Sequence, residues 1–500
     1  TNARLLNAAL LAGDCQHVGF ERGVFFEESF LDHLGRDLHG FFKFAKQCRS
    51  VDFGVSLSGQ GVVGRCTEAC AGAVFLPLVP SKARGAHNVG HSVCHAARGR
   101  AFGRAAKAGP DYIDPAFHEI ACDRTSFNLD PWAMSDRRIQ DLAHSKGTDF
   151  FLVEAMMGLF DGAADGSGSA ADLAAQLHMP IVLVVDAAKQ SHSIAALVGG
   201  FKNHRADLEV AGVILNKVGS ERHAAMLRSA LQVIDVPVLG AVPRSDELML
   251  PERHLGLIQA CEIADIEGFI ETASNVVERH CDLDALARLF SPIKAITLPE
   301  KIETILPLGG KIAIAKDAAF SFIYPHLLED WKRSGVEVSF FSPLADEAPI
   351  DDVEAIFLPG GYPELHCGTL GNAKRFQAGM HAAKARGAQI YGECGGYMVL
   401  GEAIIDKAGK SHAMLGMLGL VTSFEKRKLH LGYRNLKGVG SLFEGARFSA
   451  HEFHYTSALK EEGQPLFEAT DALGESVGKA GLSAGNVSGS YMHLIDRRVG

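Results

Sequence analysis

The strongest constraint on how this chain folds is a repeated alternation of short apolar runs and helix-length segments. The runs Phe150–Val153, Ile181–Val185, Val210–Leu215 and Val236–Val242 each end in a polar or glycine-containing turn. A second series stands at Ile312–Ala315, Val336–Phe341, Ala355–Leu358 and Gln389–Tyr391. Runs this short and this apolar fit strands covered on both faces. Between them lie Ala170–Leu177, Ser191–Phe201, Glu221–Gln232 and Ala373–Arg386, each long enough for a helix. Strand–helix alternation predicts an α/β fold of two doubly wound parallel sheets, with the chemistry just beyond the carboxyl ends of strands. Ser291–Gly310 carries Pro292, Pro299, Pro307 and the pair Gly309–Gly310. It reads as a linker between domains at 71–290 and 311–500.

Length and charge narrow the class. Five hundred residues suit two to four domains. A net charge of −10 excludes a chain whose main task is gripping nucleic acid non-specifically. No apolar run reaches the roughly 18 residues a membrane-spanning helix needs. Ten irregularly spaced Cys are not a disulfide scaffold, and a reducing cytoplasm is expected. Thr1 in place of Met reads as a fragment, a processed product or a mis-assigned start. Residues 1–70 are left unassigned, as upstream sequence translated with the gene. Gly59-Gln-Gly61-Val-Val-Gly64 matches a dinucleotide fingerprint but has no acid about 20 positions on to hold a ribose.

The sharpest local feature is Tyr391-Gly392-Glu393-Cys394-Gly395-Gly396-Tyr397-Met398. An apolar strand runs into glycines on both sides of a Cys, the pattern of a nucleophile elbow. A helix beginning after it is expected to lower the thiol pKa and offer backbone N–H groups to an oxyanion. Leu358-Pro-Gly-Gly361-Tyr-Pro-Glu-Leu365 ends another strand in a glycine pair, a second source of such an N–H. A thiol nucleophile needs a base. His451, His454 and His493 are the candidates, and spacing does not choose between them.

The N-terminal half carries carboxylates instead. Lys107-Ala-Gly-Pro-Asp111-Tyr112-Ile113-Asp114-Pro-Ala-Phe-His118 is dense in turn formers and acids. Phe151-Leu-Val-Glu154-Ala-Met-Met-Gly158-Leu-Phe-Asp161-Gly162 places one carboxylate at a strand end and another past a glycine. Such acids suit Mg²⁺, which takes one or two carboxylates together with phosphates and water. Ile214-Leu-Asn216-Lys217-Val218 ends a strand in groups able to read a nucleotide base.

Taken together, these motifs resemble the cobyrinate/hydrogenobyrinate a,c-diamide synthase family over about residues 107–500. In that family an ATP-dependent synthetase domain of the P-loop group, related to dethiobiotin synthetase, is fused to a class I glutamine amidotransferase domain. The resemblance implies Cys394 as nucleophile and His493 as its base, with Gly361 and Gly395 at the oxyanion. The Glu that many class I amidotransferases place two residues after the His is Ile495 here. A Cys–His dyad, or an unnamed third member, is implied, with His451 and His454 structural or lining the site. Glu154 and Asp161 are implied for Mg²⁺-ATP and carboxylate activation. Asp111, Tyr112 and Ile113 are implied for the corrinoid, and Asn216 and Lys217 for the base. The expected function is glutamine- and ATP-dependent amidation of the a and c carboxylates of a corrinoid in cobalamin biosynthesis. Asp130-Pro-Trp-Ala-Met134 leans toward the cobalt-free, hydrogenobyrinate branch. A cobyric acid synthase and a corrinoid-binding non-enzyme are the rival readings. Nucleic acid and membrane are not expected partners, and a homodimer is left open.

One expected motif is missing. A P-loop should lie about 30 residues before Lys107, where backbone N–H groups and a Lys cradle phosphate. No G-x-x-x-x-G-K-[ST] occurs, and the segment reads Ser81-Lys-Ala-Arg-Gly-Ala-His87-Asn-Val-Gly-His91-Ser-Val-Cys94-His95. The His and Cys spacing would suit a metal. A frameshift fits better: codons for His-Asn-Val-Gly-His-Ser, read one base on, give Thr-Thr-Ser-Val-Thr. Residues close to these come directly after the P-loop Lys in this family. The 71–106 segment is therefore read as aberrant.

Overall fold

The computed structural model describes residues 72–79, 103–144, 150–245, 258–292 and 302–498. The unassigned 1–70 stretch, the Gly59–Gly64 fingerprint and the 81–95 segment lie outside the described residues.

The first sheet contains β1 (Gly72–Val79), β2 (Gly103–Ala108), β3 (Phe127–Leu129), β4 (Phe150–Gly158), β5 (Ile181–Asp186), β6 (Val210–Val218) and β7 (Val238–Pro243), in the order β3-β2-β4-β1-β5-β6-β7. These pairings are parallel. The β5 residues are buried throughout, which is why their run is apolar without alternation. Two of the intervening helices begin at serine caps. Ser169 and Asp172 form a reciprocal capping box at Ala170–Leu177, and the Ser220 side chain accepts from His223 N at Glu221–Gln232. A two-residue strand, β8 (Ser291–Pro292), pairs antiparallel with β1, so the expected linker starts as part of this sheet.

The second sheet begins with the expected parallel strands: β9 (Lys311–Ala315), β10 (Glu337–Phe341), β11 (Ala355–Leu358) and β12 (Gln389–Glu393). A small four-stranded sheet comes next, from β13 (Ala403–Ile405), β14 (Ser411–Ala413), β15 (Gly419–Ser423) and, later in the chain, β18 (Ser457–Glu462). β16 (His430–Gly438), β17 (Arg447–His454), β19 (Gln464–Asp471), β20 (Ser476–Ala484), β21 (Val487–Ser490) and β22 (Met492–Arg497) extend the main sheet to β10-β9-β11-β12-β21-β20-β19-β16-β17-β22. β21 is parallel to β12, and the pairings beyond it are antiparallel. The doubly wound half of this domain thus carries an antiparallel extension that the apolar runs did not announce.

The two sheets meet at a dry seam. Arg138, 1% exposed, sits between Asp330 and Asp496 of the second domain, with Nη1 3.1 Å from Asp330 Oδ1 and Nε 3.5 Å from Asp496 Oδ2. The Tyr433 hydroxyl donates to Asp130 Oδ2 at 3.0 Å, and the Tyr433 ring stacks on Trp132. Tyr112 stacks on Tyr324 and Phe322, with ring centroids 4.3 and 5.2 Å away. Among the described residues, no helix is long and apolar enough to cross a membrane.

Candidate active site

Cys394 sits where β12 turns into helix Gly395–Leu400, at φ 45° and ψ −103°. A non-glycine residue there stores roughly 1–3 kcal/mol of strain. The surrounding contacts hold it in place. Cys394 N donates to Ser490 O at 2.8 Å, and a Cβ on Gly396 would fall onto Leu358 O, so only glycine lets the helix start this close to β11. The thiol is 4% exposed, with Sγ 3.8 Å from Phe453 O. Gly361 and Gly395 come together: a Cβ on Gly395 would lie 3.1 Å from Gly361 N.

The expectation of a lowered thiol pKa is overturned. Burial is the largest effect and pushes the thiol up; Glu364, Glu393 and Glu452 push it further, and only the Gly395 N–H opposes them. One short helix terminus does not outweigh desolvation and three carboxylates.

His493 lies on β22, 1% exposed and in register with His451 of β17. Its ring packs against Gly360, where a Cβ would come within 2.5 Å of Cε1. Burial, then His451 and His454, lower its pKa to about 3, so the ring is neutral and able to accept a proton. Ile495, at the position of the usual acid, is fully buried among apolar residues. Glu393 Oε2 stands 3.9 Å from His493 Nδ1.

His454 differs from His493 in its partners. His454 Nε2 is 3.1 Å from Glu452 Oε1, and Arg434 holds Glu452 Oε2 through Nε at 2.9 Å and Nη2 at 2.7 Å. Burial alone would raise the Glu452 pKa, but the hydrogen bonds and charge of His454 and Arg434 bring it to about 2. His430, Glu452 and His454 are close enough to hold a metal ion. The two imidazoles, however, stack with centroids 4.5 Å apart and planes 10° apart. Ring lone pairs lie in plane, so these run side by side and do not converge on one ion.

In the first domain, adjacent strands β2 and β4 put Lys107 directly beside Glu154. Lys107, 1% exposed, pairs with Asp114, with Glu154 Oε1 at 3.3 Å and with Asp111 Oδ2 at 3.9 Å. His118 bridges Glu154 Oε2 at 2.8 Å and Ser126 Oγ at 2.9 Å. Burial acts to lower the Lys107 pKa, but the three acids overcome it and hold the ammonium charged. Burial and Asp111 raise Asp114 against the pull of Lys107. Asp161 lies outside this cluster, exposed in the turn after β4, with its Oδ2 accepting from Gly158 N at 3.0 Å. Asp111 caps its own turn, accepting from Ile113 N at 2.7 Å, and Ile113 packs into the core. Tyr112 turns toward the second domain, its ring centroid 5.0 Å from that of His493. Asn216 is buried at the end of β6, and Lys217 pairs with Asp186 at 3.1 Å. Sequence reasoning passed over Lys107, Asp114 and His118 as site members, although all three stand in the motif that carries Asp111.

Comparison with known proteins adds the family. The profile of the CobB/CobQ-like glutamine amidotransferase domain matches residues 311–498, and that of an AAA domain matches 127–252. Hydrogenobyrinate a,c-diamide synthase of Brucella anthropi is 56% identical over 394 residues, covering 78% of this chain and 90% of that protein. This chain belongs to the hydrogenobyrinate a,c-diamide synthase family. The Rhodobacter capsulatus member is 49% identical over 401 residues, again covering 78% of this chain and 90% of its own. The Rhizobium meliloti member is 51% identical over 421 residues and covers 83% of this chain and 97% of its own. That share exceeds what residues 107–500 make up, so likeness to the family extends upstream of Lys107.

Proposed function

We propose that the chain amidates the a and c carboxylates of hydrogenobyrinate with nitrogen from glutamine and energy from ATP. The observation that carries the glutaminase half is Cys394, held in strained backbone at a strand–helix elbow in the domain that also buries His493. The identity to hydrogenobyrinate a,c-diamide synthases supports the acceptor.

On this reading the Cys394 thiol gives its proton to His493 as its sulfur attacks the glutamine side-chain carbonyl. The raised thiol pKa means no thiolate is stored at rest, so proton transfer and attack belong to the substrate-bound state. The N–H groups of Gly361 and Gly395 meet the oxyanion. His493 returns the proton to the departing ammonia, and water then hydrolyses the glutamyl thioester. In the first domain, the corrinoid carboxylate takes the terminal phosphoryl group of ATP, and ammonia displaces phosphate from the acyl phosphate. Three carboxylates around the single Lys107 ammonium leave an acidic excess, which is donor chemistry suited to a hard divalent cation. Glu154 and Asp114 would hold Mg²⁺, which would neutralise phosphate charge there; Asp161, expected beside Glu154, stands outside this cluster. Asp111, Tyr112 and Ile113 shape the corrinoid side, and Asn216 and Lys217 the nucleotide base.

The test is Cys394→Ala. Release of ammonia from glutamine is expected to vanish. In a chain whose residues 81–93 are rewritten to carry Gly-x-Gly-Lys-Thr-Thr, the same substitution should leave amidation by free ammonia intact, because ammonia bypasses the thioester. Equal loss with both nitrogen sources would refute the nucleophile assignment.

A further inference from the structure

A buried imidazole serving as a base needs its tautomer fixed, and the residue that would ordinarily do so is apolar here. Ile495, two positions after His493, is fully buried and has no polar atom to offer. His493 Nδ1 is itself buried and, among the described residues, has no hydrogen-bond partner. The carboxylate that approaches it comes from an unexpected place in the chain, the residue immediately before the nucleophile. Glu393 Oε2 lies 3.9 Å from His493 Nδ1, with the two side chains 5% and 2% exposed. The other oxygen is fixed: Leu494 N donates to Glu393 Oε1 at 3.3 Å, and the Tyr391 hydroxyl donates to it at 3.2 Å. These bonds hold the carboxyl beneath β22, beside the residue after His493.

The geometry points to Glu393 as the positioning residue of the glutaminase site, taking the place of the acid that Ile495 displaces. The inference rests on the Cys394–His493 reading above. When ionised, Glu393 accepts the Nδ1–H of His493 and leaves the Nε2 lone pair for the thiol. The S–H bond of Cys394 then breaks toward Nε2 as the sulfur pair forms the bond to the glutamine carbon. The resulting imidazolium faces the Glu393 carboxylate, and when the C–N bond breaks Nε2 hands the proton to ammonia. Glu393 exchanges no proton in this cycle. At 3.9 Å the resting pair stands beyond hydrogen-bond distance, and catalytic contacts of this kind tighten when substrate fills the site.

The groups facing the pair are Tyr391 and Cys394 on its own segment, His451, Glu452 and His454 from β17, and Tyr112 and Tyr324 from the interdomain seam. Burial raises the Glu393 pKa to about 8, against the Leu494 and Tyr391 hydrogen bonds that lower it. The carboxylate form therefore grows in through the neutral range, and glutamine turnover should rise with it.

The experiment measures ammonia release from glutamine across pH for the full chain, its Glu393→Gln and Glu393→Asp variants, and Cys394→Ala. Glutamine at 393 still accepts the Nδ1–H but carries no charge and does not titrate. The expected result is kcat lower by about 10²-fold with KM unchanged, and loss of the rise with pH. Aspartate should keep a rise, displaced from that of the wild type, with a smaller loss of kcat. An unchanged pH profile in both variants would overturn the inference, whatever happens to kcat, because a merely structural role moves only the amplitude. If Glu393→Gln fails to fold, the Asp profile decides alone by the same criterion. If the wild type releases no ammonia, or Cys394→Ala still does, the Cys394–His493 reading fails and this inference falls with it. Loss in Cys394→Ala together with an unmoved profile at 393 would sink the inference alone.

Discussion

On the proposed reading, single residues in the second domain carry most of the chemistry, and burial opposes their charges. His493 is expected to be worth roughly 10²–10⁴-fold in glutamine hydrolysis, the usual value of a positioned acid–base. His493→Ala should show that loss in an ammonia-release assay, whereas His454→Ala, removing a ring tied to Glu452, should be milder. The reverse ranking would move the base to His454. The elbow has a comparable demand. Gly396→Ala pushes a methyl onto Leu358 O, and the nucleophile must shift to make room. A displacement of that kind costs on the order of 10²-fold in turnover, without any polar group having been removed. Glu393 also links to stability. Its pKa is near 4.5 in an unfolded chain and about 8 in the native one, so the native state holds the proton more tightly. Stability from this group is therefore complete at low pH and is lost as pH rises from 4.5 through 8, by up to about 1.4 kcal/mol per unit. Glu393→Gln removes that dependence. Its melting temperature relative to the wild type should climb between about pH 5 and pH 8.5, and a flat difference would count against the buried neutral carboxyl.

At the scale of elements, local sequence rules account for most of what formed. Helices Ala170–Leu177 and Glu221–Gln232 have the expected bounds and begin at Ser169 and Ser220 caps, and β11 occupies the predicted Ala355–Leu358. What joins one domain to the other is a different matter. Helix Asp136–Ala143 of the first domain is pinned to helix Pro325–Arg333 and to β22 through Arg138, Asp330 and Asp496. Burial raises Asp496 to about 7 even with Arg138 beside it. Arg138→Leu leaves two acids without their cation, and breaking a buried pair from one side typically costs about 3–5 kcal/mol. Urea unfolding should report that loss. Arg333→Ala, which removes only the exposed contact with Glu329 and a second with Asp141, should cost less than about 1 kcal/mol. Equal costs would mean the seam is not as dry as its burial indicates.

For the whole molecule, the two halves should differ in competence. The second domain has its elbow, proposed base and glycine pair, while the sequence before Lys107 carries no G-x-x-x-x-G-K-[ST]. Calorimetric titration with Mg²⁺-ATP should give weak binding for the chain as it stands and tight binding once residues 81–93 carry Gly-x-Gly-Lys-Thr-Thr; tight binding by the unaltered chain would refute the frameshift account. The sequence by itself determined the α/β class, the parallel strands and the Gly-flanked motif on which Cys394 is proposed as nucleophile. Buried strands must be apolar, and a strand-to-helix turn around Cys394 must be flanked by glycine; both are local requirements written in consecutive residues. Resemblance singled out His493, where spacing left three histidines open. Only the tertiary structure decided the rest. Strands β16, β18 and β20 bury one face or neither, as the mostly exposed β18 shows, so they leave no continuous apolar run to read. The Lys107–Asp114–Glu154 cluster arises because β2 and β4, far apart in the chain, pair in register, and the placement of Glu393 against His493 because the Glu393 side chain reaches Leu494 of β22, a strand far from β12 in the sheet order. The thiol pKa was misjudged for the same reason: a helix terminus is visible in sequence, whereas burial and three carboxylates converging from separate elements exist only once the chain has folded.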